Sequence, residues 1–407
     1  MPNRLTTDSV SSVRIITRPI LIVSLVSLLT DIASEMLYPI MPMYLRSVGF
    51  SILGIGLLEG FVEAFAGISK GYFGHLSDRI GKRVPFIRLG YGLSAIAKPL
   101  MAVLTFPAWI FSMRTVERLG KGIRTSARDA WLSDHSTRET KGRVFGFHRS
   151  MDTVGAALGP VIALVVLEIL PERYRLLFLI SAVPGLMAVL FTFLIRERKR
   201  SNRPALTGKS FFAYLGYWKK SGRTYKLIVG GLLAFTLFNS SDAFILLGLK
   251  QKGFADTQVI GFYIFYNLVY AGASYPVGRL SDRIGQKRIL VAGIMLFAIV
   301  YALIPFASGW TLLIPAFFIY GLYAASTEGM AKALITNISD REDTATALGF
   351  FNSFSSIFTL LASTVSGILW TIWSLRVMFL VSAAGAMLVS LFFLVQSDWR
   401  PKLVSGK

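Results

Sequence analysis

Apolar residues run in long blocks along this chain, separated by short polar stretches that are alternately rich and poor in Lys and Arg. A helix needs roughly 20 mostly apolar residues to cross about 30 Å of hydrocarbon. Twelve blocks meet that length: 19–45, 52–76, 84–106, 107–126, 144–168, 174–196, 226–248, 257–279, 288–307, 309–332, 346–370 and 375–397. The fourth carries Arg114, Glu117, Arg118 and Lys121, and is kept because removing it breaks the alternation of loop charge.

That alternation orients the chain. Arg79, Lys82 and Arg83 lie between spans 2 and 3, and Arg124, Arg128, Arg138, Lys141 and Arg143 between spans 4 and 5. Arg283, Lys287 and Arg288 lie between spans 8 and 9, whereas the other links hold few positive charges. The positive-inside rule puts the basic links and both termini in the cytoplasm, as expected of a multi-pass protein of the inner (cytoplasmic) membrane. Residues 1–18 lack the apolar core and cleavage site of a signal peptide.

Composition supports the pattern. Of 407 residues, 54% are hydrophobic and 16% charged, where a soluble chain has about a quarter charged. The absence of cysteine excludes disulfides, iron–sulfur clusters and thiolate zinc sites, and three histidines (His75, His135, His148) leave little for a metal site. No cofactor and no metal are expected. The net charge of +21 follows from topology and attraction to anionic membrane lipid, and does not call for a nucleic-acid partner. Hydrolase, metalloprotease and P-loop motifs are absent, so an enzyme is not expected and energy must come from an ion or substrate gradient.

A repeat divides the chain. Residues 74–83 read Gly-His-Leu-Ser-Asp-Arg-Ile-Gly-Lys-Arg and residues 278–288 read Gly-Arg-Leu-Ser-Asp-Arg-Ile-Gly-Gln-Lys-Arg, an offset of 204 that is close to half the length. The expected organisation is a tail (1–18), a six-helix bundle (19–196), a basic cytoplasmic linker (197–225), a second six-helix bundle (226–397) and a short tail (398–407). Such parallel repeats place a substrate site near the midplane between the halves. The acids Asp78 and Asp282, each at a helix end, are suited to accept from backbone N–H groups or an arginine and so latch one conformation.

With these motifs the chain resembles the major facilitator superfamily over all twelve spans. Gly74, Asp78, Arg79, Gly81 and Arg83 match its loop signature, and Gly278, Asp282, Arg283 and Gly285 match the second copy. The resemblance implies an all-α integral membrane protein of twelve transmembrane helices in two pseudo-symmetric six-helix bundles, acting as a monomer by alternating access. Arg114, followed by Glu117 and Gly120, resembles a fourth-span signature whose arginine is associated with proton coupling; Glu117 and Arg118 stand where Gln and Gly are usual. Gly155, Gly159 and Pro160 resemble the span 5 signature of the antiporter branch, and the second half lacks its proline.

Ionisable residues inside spans mark the candidate site, since each costs about 2.5–3.5 kcal/mol at the bilayer centre. Asp31 and Glu35, one helical turn apart, share a face of span 1, and Pro39 and Pro42 are expected to loosen its outer end. Glu59, Glu63 and Lys70 form one stripe of span 2, and Lys98 and Asp152 add charge in spans 3 and 5. In the second half the equivalents of Glu59, Glu63 and Lys70 are Tyr263, Asn267 and Ser274, beside Tyr266 and Tyr270; Asn239, Asp242 and Glu328 complete the polar set. The expectation is a division of labour, with charge and proton coupling (Asp31, Glu35, Arg114, Glu117) in the first bundle and a substrate wall in the second. Moving a carboxylate between a wet cavity and a basic neighbour changes its hold on a proton, as exchange of protons for a small-molecule substrate requires. Efflux of drug-like amphipathic compounds by proton antiport is one reading. The alternative is transport of an anionic metabolite or siderophore-like solute clamped by Lys70, Lys98, Arg114 and Arg118.

Overall fold

The computed structural model describes residues 15–396 except 39, 51, 171–172, 198–210, 241 and 308. Residues 1–14 of the first tail, the second tail, the basic stretch from Arg198 to Lys209, and Pro39 therefore lie outside the described residues. The first half consists of α1 (Arg18–Glu35), α2 (Met41–Ser47), α3 (Ile52–Ile80), α4 (Val84–Val103), α5 (Pro107–Asp134), α6 (Lys141–Ile169) and α7 (Tyr174–Thr192). A 3-10 turn (Ala213–Gly216) and the short α8 (Tyr217–Lys220) connect it to the second half. That half holds α9 (Arg223–Phe238), α10 (Ala243–Gln251), α11 (Asp256–Ile284), α12 (Gln286–Leu303), α13 (Trp310–Ile338), α14 (Thr344–Ile372) and α15 (Leu375–Val395).

Twelve spans result, of which the first and seventh are broken. Span 1 is α1 and α2, and span 7 is α9 and α10. At the repeat offset of 204, Glu35 at the end of α1 falls on Asn239, the residue that caps α9, so both halves break within one residue of the same register. Chemistry differs between the breaks. Pro42 lies in the first turn of α2, where its missing N–H has no intrahelical partner to lose, and it has no N–H with which to continue a ladder from α1. The α9 break instead runs through Asn239, Ser240 and Asp242, short polar side chains that compete for backbone hydrogen bonds.

Among the described residues, seven spans are long and apolar enough to cross a membrane by composition alone: α4, α6, α7, α12, α13, α14 and α15. The other five are the two broken spans and α3, α5 and α11, which carry the charged and tyrosine-rich stripes. Large apolar side chains on α7 and α15, such as Leu190 and Leu388, are exposed where lipid would cover them.

Packing repeats the sequence symmetry. Within the first half α1 packs on α6 and α7, α4 on α5 and α7, and α3 on α5. Within the second, α9 packs on α14 and α15, α12 on α13 and α15, and α11 on α13, the same pattern six spans later. The halves meet through two equivalent contacts, α3 with α14 and α6 with α11.

One sequence expectation needs correcting. Span 4 was expected to end near residue 126, with Arg124 and Arg128 as loop charges; α5 continues to Asp134 and both arginines are buried inside the protein. Hydropathy marks an arginine as a boundary, but these residues continue the three-to-four-residue stripe that begins at Arg114.

Candidate functional site

The two half-to-half contacts are built alike at the basic-loop end. Asp78, in the last turn of α3, accepts from the backbone N–H and the Oγ1 of Thr346 at 2.5 and 2.7 Å, at the N-terminus of α14. The Arg83 guanidinium pairs with the other Asp78 oxygen and also donates to Ser77. Asp282, in the last turn of α11, accepts from the backbone N–H groups of Gly142 and Arg143 at 2.8 and 3.1 Å, and from Arg143 Nε at 2.8 Å. Each repeat copy thus caps a helix of the opposite half, where four backbone donors have no intrahelical partner and the helix dipole favours an anion. Gly81 and Gly285, with φ of +73° and +102°, make the turns that follow, a conformation costly for other residues. Gly74 and Gly278 let the partner backbones approach Ala345 and Gly142 closely. Arg79 and Arg283 are exposed and stand outside both latches.

Further structure seals this face. Glu197 accepts from the first backbone N–H groups of α4 at Arg83 and Val84, at 2.9 and 2.8 Å. The α8 segment docks below the α3–α14 contact, with Lys220 paired to Asp343 at 2.5 Å and Trp218 stacked on Phe350. Deeper, Ser353 donates to the Gly67 carbonyl at 2.7 Å and Ser150 to the Ala271 carbonyl at 2.5 Å. Beyond Gly67 the α3–α14 pair separates: Gly60 faces open space, and a cavity of about 530 Å³ lies between Gly60, Glu63 and Lys70 on one side and Ser355, Ser356 and Ser363 on the other, with Asn239 also on its wall. The halves are closed at the basic-loop end and parted at the other.

Above the closed end lie two further cavities, of about 220 and 400 Å³. Asp31, Glu35, Lys121 and Arg124 line both and so stand at their junction. The smaller runs into the first half, past Glu63, Lys98, Arg114, Glu117 and Arg118. The larger lies between the halves, with Lys70, Arg128, Arg149 and Asp152 facing Asp242, Tyr263, Tyr266, Asn267, Tyr270 and Glu328.

Most of the charges are paired. Arg114 holds Glu59 in a two-toothed pair at 2.9 and 3.0 Å and Glu117 at 3.1 Å, and Arg118 reaches Glu63 at 3.3 Å and Glu117 at 3.5 Å. Besides Arg143 with Asp282 at the latch, Lys332 with Asp129 at 2.8 Å and Arg149 with Glu328 at 2.5 Å cross between the halves. Arg128 also holds Asp129, at 3.0 Å, and Arg149 donates to the Tyr270 hydroxyl. Asp152 lies 3.8 Å from Arg149 and 3.7 Å from His148. Asp242 accepts from the Tyr320 hydroxyl at 2.6 Å, and Asn267 donates to its own helix at Tyr263.

Asp31 and Glu35 differ from these: half-buried on the cavity wall, they form no hydrogen bond or ion pair among the described residues. They sit beside the break in span 1, where α6 presses closely on α1. A Cβ on Gly155 would lie 2.5 Å from the Leu28 carbonyl, and one on Gly159 would lie 2.6 Å from the Met36 nitrogen. Gly155 and Gly159 therefore form the surface on which the Asp31–Met36 segment rests, and Pro160 follows them inside α6.

Sequence reasoning singled out most of the cavity wall but missed Lys121, Arg124, Arg128, Asp129 and Lys332 as site residues. For the first four the usable signal was the helical spacing of charges from Arg114 onward. Lys332 has a weaker one, its position one turn after Glu328.

The sequence model of the Major Facilitator Superfamily matches residues 23–265 and 254–406. The chain belongs to that superfamily. Among relatives of this major facilitator protein, the uncharacterized MFS-type transporter MJ1317 of Methanocaldococcus jannaschii is 34% identical over 389 residues, covering 94% of this chain and 95% of that one. The multidrug resistance protein MdtG of Serratia proteamaculans is 25% identical over 390 residues, covering 91% and 90%. In structure the chain is similar to the Escherichia coli fucose:proton symporter FucP, with a TM-score of 0.76 at 15% identity, covering 95% of this chain and all of that one. As a member of a family of transporters, this multi-pass membrane protein moves a small molecule and is not an enzyme.

Proposed function

We propose that this chain is a proton-coupled secondary transporter of a small charged organic solute, with Asp31 and Glu35 as the proton-carrying groups. The observation that carries this reading is the pair of carboxylates at the junction of two cavities, beside a helix break, that have no partner among the described residues while the other acids around the cavities each have one. A carboxylate with no fixed partner is open to a proton or to substrate, and α1 is free to bend next to it. Arg114 and Glu117 set the field around the pair through the network with Glu59, Glu63 and Arg118. The basic links lie in the cytoplasm, as do both termini, so the latched face is the inner one and the described state opens outward. The moving bodies are residues 19–196 and 226–397, linked by 197–225, working as a monomer in the cytoplasmic membrane.

The sign of coupling depends on the charge of the solute. A cation competes with protons for Asp31 and Glu35 and gives exchange; an anion gains from their protonation and gives cotransport. A second reading, export of amphipathic drug-like compounds by exchange, is favoured by the wall of Tyr263, Tyr266 and Tyr270 and by the multidrug resistance name carried by the MdtG relative.

Proteoliposomes loaded with a pH-sensitive dye and challenged with a panel of charged solutes test the reading. At least one solute is expected to evoke a proton flux in the native chain, and Asp31→Asn with Glu35→Gln to abolish it. Solute movement that is indifferent to a pH gradient overturns it.

A further inference from the structure

The nine cations and nine acids around the cavities are not equally engaged. Arg114 and Arg118 are held by Glu59, Glu63 and Glu117. Arg128 and Lys332 share Asp129, and Arg149 is held by Glu328 and Asp152. Among the described residues, four cations remain with no carboxylate at ion-pair distance: Lys70, Lys98, Lys121 and Arg124. Lys98 is 2% exposed, lines the smaller cavity, and its Nζ has no hydrogen-bond partner. Arg124 is 5% exposed, lies 4.5 Å from the Tyr91 ring and donates only to the Ser94 hydroxyl, at 2.7 Å. Lys121, one turn earlier on α5, forms no hydrogen bond or ion pair with its side chain among the described residues, and Lys70 reaches only the Ser356 hydroxyl, at 3.3 Å.

Burying a cation is costly unless it is paired and hydrogen-bonded. Lys70, Lys98, Lys121 and Arg124, two of them buried and two half-buried, line adjoining cavities that meet at Lys121 and Arg124, and they describe a site completed by an anion. The charge balance says when that anion enters. With every acid ionised, including Asp31, Glu35 and Asp242, the nine positive and nine negative charges cancel. Protons on Asp31 and Glu35 leave an excess of two positive charges around the same volume.

We infer that the substrate is a small organic anion, a carboxylate or phosphate, whose charged group lies on Lys70, Lys121 and Arg124 with Lys98 behind them, and that it enters together with protons on Asp31 and Glu35. This rests on the proton-coupled reading above and adds the substrate class and the sign of coupling. It assigns the clamp to cations that have no carboxylate at ion-pair distance among the described residues, whereas Arg114 and Arg118, two of the four expected from the sequence, are already neutralised. The larger cavity, about 400 Å³, is within the range of small-molecule sites.

The test is thermal melting of the purified full chain with succinate, citrate and glycerol 3-phosphate, against tetraphenylphosphonium and ethidium as cations. At least one anion is expected to raise the melting temperature, more at mildly acidic than at mildly alkaline pH, and the cations to have no such effect. Lys121→Gln, which removes a half-buried group, is expected to weaken the apparent affinity about tenfold or more, the worth of one charge-assisted hydrogen bond. Arg124→Lys keeps the charge in case Arg124→Gln does not fold, and is expected to weaken binding less than Lys121→Gln. Exposed Arg79→Gln is the control and is expected to change nothing. Stabilisation by the organic cations alone overturns the inference, as does an anion effect that survives Lys121→Gln undiminished. The two readings fail separately. Anion binding that keeps its pH dependence in Asp31→Asn with Glu35→Gln removes the proton role and leaves the anion site. Cation binding that competes with protons removes the anion site and leaves the proton role.

Discussion

The two halves share one arrangement of helices and fill it differently. In the first, the apolar core is split. One cluster around Tyr91, Trp131 and Phe145 lies towards the latched end, another around Met36, Tyr44 and Phe178 towards the far end, and the layer of Glu59, Lys98, Arg114, Glu117 and Arg118 comes between. In the second, one cluster runs unbroken from Tyr225 through Phe297, Tyr301, Tyr320 and Tyr323 to Phe379. The comparison teaches that the scaffold tolerates a charged stratum when the stratum is internally paired, and that its unpaired members are then exceptional. Asp31, Glu35, Lys98, Lys121 and Arg124 stand out against that paired background, which the second half lacks.

The largest expected effect tests the paired stratum itself. Arg114→Met leaves Glu59 and Glu117 without their main partner, and breaking a buried pair in this way costs about 3–5 kcal/mol. Thermal melting in detergent reads this as a large fall in midpoint; an unchanged midpoint means that the stratum is hydrated well enough to need no pairing. An intermediate effect is expected at the latches. Asp282→Asn weakens three bonds to α6, and Asp78→Asn weakens those to Thr346 and Arg83. Hydrogen bonds to charged groups contribute about 1.5–3 kcal/mol each, so either change shifts the population towards opening at that face by about tenfold or more. The chain has no cysteine, so Ser353→Cys supplies a single reporter between α3 and α14, and Asp78→Asn is expected to speed its labelling by a thiol reagent. Equal labelling rates break the equivalence of the two latches. The smallest effect belongs to the tyrosine half. Tyr320→Phe removes one bond to Asp242 from a continuous core and is expected to cost about 1–2 kcal/mol. A loss as great as that of Arg114→Met erases the contrast.

How much of this was legible in the sequence follows the range of the interactions. Spans, repeat and latch motif are local or periodic, so hydropathy and the 204-residue offset expose them. The α9 break hides in a sequence without proline, though Asn239 in register with Glu35 marks it once the offset is applied. Arg124 and Arg128 were read as topology signals because a window average cannot distinguish an arginine at a membrane surface from one facing a wet cavity. The pairs Lys332–Asp129 and Arg149–Glu328 join residues about 200 positions apart, and neither spacing nor composition shows which acid meets which base. That four cations lack carboxylates is a property of the packed whole, visible only after all other charges have been matched.

Each latch aspartate grips main chain at the start of a helix contributed by the opposite half. Main-chain N–H groups are common to every residue but proline, so the fastening needs no particular side chain for its donors, although Gly142 must stay small because a Cβ there would lie 2.5 Å from the Asp282 carboxylate. The accepting end must stay acidic; the keeper is written largely into the peptide unit itself, with the Thr346 hydroxyl and the Arg143 guanidinium adding to the grip.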